Sequence, residues 1–98
     1  MKDPKIQTLH PEAGKTNKSI SLEKYELVKS AILEILQHHS LSHTELMEAI
    51  HQRVKDTLQG NAQWYGETVK LDLEARQLIQ RSKAKPPVYS LVMPGNNV

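Results

Sequence analysis

Ninety-eight residues suffice for one domain with a modest core and not for two. Thirteen Lys and Arg against eleven Asp and Glu leave a formal charge of +2, too small to point to a polyanion by itself, so charge placement must carry any such argument. The lack of cysteine excludes disulfides and thiolate chemistry, and no apolar run approaches the roughly 18 residues of a membrane span. An N-terminus without an apolar signal core leads to the expectation of a cytoplasmic protein. In that compartment the Asn17-Lys18-Ser19 sequon carries no glycan.

Residues 1–19 carry Lys2, Lys5, Lys15 and Lys18, with Ile6 and Leu9 as the large apolar side chains. They read as a surface arm docked through those two residues. A sharper alternative is a basic arm laid on a phosphate backbone.

Ser21 can cap a first helix reaching about His38. Leu22, Tyr25, Val28, Ile32, Leu33, Ile35 and Leu36 form its buried face, opposite Glu23, Glu26, Ser30, Glu34 and Gln37. Leu27 and Ala31 widen the apolar surface, which suits either a homodimer contact or a second core layer under the arm. After His38-His39-Ser40-Leu41 breaks the pattern, Ser42 and Glu45 stand in the spacing of a capping box, with Leu41 and Leu46 placed as a hydrophobic staple. A second helix follows to about Leu58, burying Leu46, Met47, Ile50, Val54 and Leu58. Gln59-Gly60-Asn61 makes the turn into the third.

The stretch from Asn61 to Gln80 is the longest helical pattern. Asn61 can accept from the free amides of the first turn. At about 100° per residue, Trp64, Thr68, Leu71, Ala75, Leu78 and Ile79 share one side, flanked by Tyr65, Val69 and Leu73. On that phase Trp64 is a core anchor, Tyr65 a partly exposed contact, and Gln63, Gly66, Glu67, Lys70, Glu74 and Gln77 the polar arc. Arg76 is placed to pair with Asp72 one turn before it. Pro86 and Pro87 cannot continue a helix, so strands are expected near residues 79 to 82 and 88 to 92, with Lys83 to Pro87 as the hairpin tip. The fold class is therefore α+β, mostly α: a winged helix-turn-helix of three helices plus a C-terminal β-hairpin wing over residues 20–93, with 94–98 as a tail.

Leu9-His10-Pro11 with Gly14-Lys15, the segment Leu41 to Leu46, Trp64-Tyr65, and Val69 to Arg76 together resemble a family of short bacterial winged-helix proteins of unassigned function. The resemblance covers nearly the whole chain. More loosely, the chain resembles winged helix-turn-helix domains of bacterial regulators and restriction-associated proteins, which implies DNA binding and transcription regulation. Many of those carry Ala-Arg-Gly-Leu-Ile before the first wing strand. Here Gln77 takes the glycine's place, so either the helix runs longer or a non-glycine residue makes the turn.

Double-stranded DNA is thus the expected partner. Asn61, Gln63 and Lys70 offer donors that base edges need, and Arg81, Lys83 and Lys85 are candidate phosphate contacts. Glu67 and Glu74 on the same arc count against it, and ion pairs among Glu67, Lys70 and Glu74 would make an ordinary solvated face. The alternative is a protein-interaction or self-associating module, a homodimer among its forms, using the third helix or the surplus apolar surface of the first. No catalysis and no cofactor is expected, since the chain has no cysteine nucleophile, glycine-rich phosphate loop or nucleophile elbow. His38, His39 and His43 straddle a helix end and a helix start, which is not metal-ligand spacing.

Overall fold

The computed structural model describes residues 4–92. Met93, the 94–98 tail and the first three residues of the arm lie outside the described residues. Helix α1 spans Leu22–His38, α2 spans His43–Val54 and α3 spans Ala62–Ala75. Each begins where a side chain accepts from an otherwise free amide. Ser21 Oγ takes the Lys24 N–H at 3.4 Å, and Asn61 Oδ1 takes that of Trp64 at 2.9 Å. Both halves of the capping box are present: the Glu45 N–H donates to Ser42 Oγ at 3.3 Å and the Ser42 N–H to Glu45 Oε1 at 3.0 Å. Such caps contribute about 1 kcal/mol each.

Every helix packs on the other two. Val28 and Ile32 of α1, Leu46 and Ile50 of α2, and Val69 and Leu73 of α3 are fully buried at their meeting point, closed from one end by Ile79. Helix α2 ends at Val54 rather than near residue 58, because Thr57 and Leu58 both donate to the Val54 carbonyl and tighten the last turn. Leu58 is buried all the same. Helix α3 likewise stops at Ala75, short of Gln80. Leu78 N–H reaches the Leu73 carbonyl at 2.9 Å and Gln77 N–H the Glu74 carbonyl at 3.1 Å, a Schellman closure that puts Gln77 at φ 63°. A non-glycine residue therefore makes the turn.

The strands differ from the expected plan of a lone C-terminal hairpin. Strand β1 (Lys5–Gln7) pairs antiparallel with β2 (Ser19–Ser21), Ile6 facing Ile20. Strands β3 (Leu41–Ser42), β4 (Ile79–Arg81) and β5 (Val88–Leu91) form an antiparallel sheet in the order β3-β5-β4. The expected two-stranded hairpin is thus joined by the link between α1 and α2, with Leu41 opposite Tyr89 and Ser42 opposite Val88. The arm also departs from expectation, because β2 runs across the proposed boundary at residue 19 and Thr8 is buried beneath the hairpin. Its amide and its hydroxyl both donate to the Lys18 carbonyl. Ile6 packs on the core as expected, whereas Leu9 is 42% exposed and most of residues 9–19 face solvent.

Candidate nucleic-acid interface

The rotation of α3 decides which side chains face outward, and it differs from the expected one. Gly66, Val69 and Leu73 form the buried line, with Lys70 on one side and Thr68 and Asp72 on the other. Trp64, expected as a core anchor, is 43% exposed and meets Tyr65 edge to face at 4.9 Å. Leu71 and Ala75 are half-buried and Leu78 is 38% exposed. Gly66 is one reason for this phase. A Cβ there would stand 3.1 Å from Met47 Sδ and 3.3 Å from Ile50 Cδ1, so the missing side chain lets α2 approach closely.

Two buried charges are the other reason. Asp72 is fully buried and its carboxylate accepts four donations. Tyr25 Oη donates to Oδ2 at 2.6 Å, the Leu9 N–H to Oδ1 at 2.8 Å, and Arg76 Nε to both oxygens at 2.9 and 2.8 Å. Burial first, then the bond to Asp72, pushes the Tyr25 phenol well above its usual range. The same carboxylate, as hydrogen-bond partner, raises Arg76 further. The expected Arg76–Asp72 pair thus forms, as part of a node that also ties α3 to α1 and to the arm. Asn17 adds to the arm's attachment, donating to the Leu9 carbonyl at 2.9 Å and the Thr68 carbonyl at 3.0 Å.

Lys70 is the second buried charge, only 4% exposed, which removes it from the outward arc and from the candidate base readers. Its ammonium donates to Tyr89 Oη at 3.1 Å and lies 3.2 Å from His43 Nδ1 and 3.1 Å from Glu67 Oε1. It also sits 4.4 Å from the centre of the Tyr89 ring. The side chain therefore bolts α3 to the start of α2 and to β5. Neither His43 nor Tyr89 was suggested by the sequence, since the three positions share no local spacing.

The other expected contacts fall into two sets. Asn61 and Gln63 are exposed at the first turn of α3, although the Asn61 carboxamide oxygen is engaged in the cap. Lys83 and Lys85 are exposed in the loop between β4 and β5. Arg81 is exposed too, but its Nε lies 3.4 Å from Glu74 Oε2, so its charge is partly committed within the protein. Both carboxylates of the α3 face are consequently neutralised locally, Glu67 by Lys70 and Glu74 by Arg81.

β4 leaves the C-terminal end of α3 at Ile79, and at the Arg81–Tyr89 level it stands beside Glu74 and Lys70. Residues 82–87 form the loop beyond Val88, which stands opposite Ser42, the cap of α2. A groove of about 570 Å³ opens between α2 and the first turn of α3, bordered by His43, Met47, His51, Lys55, Asn61 and Gln63. Among the described residues no group of three or more histidine or acidic side chains could hold a metal ion. No helix among them is long and apolar enough to cross a membrane.

Comparison with curated proteins and with solved structures returns no match. A family model matches residues 5–89, from β1 to the middle of β5, and so takes in the arm, all three helices and the hairpin. The chain belongs to DUF6958, a family of unknown function.

Proposed function

We propose that this chain is a winged helix-turn-helix protein that docks on double-stranded DNA, as in transcription regulation, through the first turn of α3 and the β4–β5 loop. The observation that carries the reading is the exposure of both polar sets, Asn61 and Gln63 at the start of α3 and Lys83 and Lys85 in the loop that follows a strand pair standing beside Glu74 and Lys70. Two lysines on a loop suit backbone phosphates, and carboxamides at a helix start suit base edges. The internal pairing of Glu67 and Glu74 lowers the cost of bringing that face toward phosphates. Fluorescence anisotropy with a labelled duplex at low salt tests it. The full chain binds with an affinity that falls as salt rises, and the double variant Lys83→Ala/Lys85→Ala lowers the slope of log affinity against log salt by about 1.8, for two lost phosphate contacts. A flat titration by the folded wild-type chain rejects the reading.

A second reading has its own support. Trp64 and Leu71, seven residues apart along α3, lie outside the core, and Leu78 just beyond the helix is 38% exposed. An apolar stripe of that kind also suits a protein partner. Trp64→Ala separates the two: loss of a captured protein with duplex binding intact favours interaction, and loss of duplex binding alone favours DNA.

A further inference from the structure

We infer that the groove between α2 and α3 is a further phosphate contact for the same duplex, and that its strength is set by protonation of His51. The inference rests on the DNA-docking reading and extends it onto α2. His43, Met47, His51 and Lys55 follow one another at intervals of four, so they form a single row along α2 beside the groove. The row covers twelve steps of helix, about 18 Å at 1.5 Å per residue. A line of that length fits an extended run of phosphates better than one compact anion. Asn61 and Gln63 close the far wall at the start of α3, the proposed base-reading turn.

His51 and Lys55 are the basic side chains bordering this groove that make no ion pair among the described residues. Arg53 pairs with Glu34, Arg76 with Asp72, Arg81 with Glu74, and Lys70 with Glu67, whereas among the described residues neither His51 nor Lys55 makes an ion pair. Both are exposed. Of the charged or titratable side chains bordering the groove, Glu48 stands one turn before His51 and keeps its charge, its bond at 2.9 Å coming from the neutral Gln52, and Lys55 is a like charge one turn after His51. The opposite wall offers only the uncharged Asn61 and Gln63. His43, at the other end of the row, lies 3.2 Å from Lys70 Nζ and 3.5 Å from Glu67 Oε1. Imidazole is the side chain whose charge ordinarily changes between about pH 5 and 8. A phosphate seated at the groove favours the imidazolium, so binding takes up a proton and tightens as pH falls.

The test is anisotropy with the full chain and a labelled duplex at about pH 6 and about pH 8, at one ionic strength. Wild type binds at least about threefold more tightly at the lower pH. His51→Gln keeps the affinity seen at the higher pH and loses most of that gain. Lys83→Ala/Lys85→Ala weakens binding at both pH values but retains the gain, and Lys55→Ala weakens both as well. Equal wild-type affinity at the two pH values overturns the inference while the docking reading stands. A full gain retained by His51→Gln also overturns it, assigning the effect to another of the five histidines. No duplex binding at either pH overturns both.

Discussion

Two buried charges lie two residues apart on α3 and do different work. Asp72 is sealed from solvent, and its donors come from α1, from the arm and from its own helix. Lys70 is as deeply placed, but two of its partners, His43 and Glu67, keep 41% and 44% of their side-chain surface in solvent. The first is a fastener whose carboxylate and Tyr25 donor are both buried, only Arg76 reaching solvent. The second is a joint whose partners can be hydrated when it is broken. A buried ionic group costs most when its partners are stranded with it, so the two sites should differ in stability effect despite equal burial.

Asp72→Ala is the strongest way to break that contrast. It strands the Tyr25 hydroxyl and the Leu9 amide and frees Arg76, and is expected to cost about 3–5 kcal/mol in urea unfolding. A loss under about 1 kcal/mol would mean that water reaches the site. Tyr25→Phe removes one donor from the buried carboxylate and is expected to cost about 2 kcal/mol. It also has a pH signature. The folded phenol keeps its proton above about pH 10, where the unfolded one loses it, so the fold binds more protons there. Stability is full below that pH and falls as pH rises through it, by up to about 1.4 kcal/mol per pH unit. The phenylalanine variant lacks that component, which chemical unfolding between about pH 8 and 11 can measure.

Lys70→Met keeps the buried stem and removes the ammonium. Because His43 and Glu67 can turn to solvent, the expected cost is only about 1 kcal/mol. A cost equal to that of Asp72→Ala would erase the distinction between fastener and joint. The smallest effect lies beyond both nodes, at the end of α3. Gln77→Gly relieves a left-handed backbone on a residue with a side chain and is expected to stabilise by about 1 kcal/mol, visible as a rise of roughly 4–8 °C in Tm.

The contrast also separates what could be read along the chain from what could not. The three helix starts were legible because a cap and its amide are three residues apart, as at Ser42 and Glu45. The Asp72–Arg76 pair was legible for the same reason, at a spacing of four. The arm's attachment was not. The Leu9 amide meets Asp72 across 63 positions, and strands of three residues have too little length to show alternation. Of the expected contacts, Asn61, Gln63, Lys83 and Lys85 are exposed where the sequence put them, Arg81 is shared with Glu74, and Lys70 faces inward. His51 and Lys55 were present as a regular row, but nothing local marked the groove beside them.

By itself, then, the sequence determined where each helix starts, that two prolines end the helical run, and that a hairpin follows. These depend on contacts within a few residues and on backbone geometry. Only the tertiary structure decided how α3 is turned. Its sequence offers two apolar phases, one through Trp64, Leu71 and Ala75 and one through Gly66, Val69 and Leu73. Periodicity alone cannot choose between them. The second is selected because Gly66 admits α2, while Lys70 and Asp72 find their countercharges and donors on distant segments.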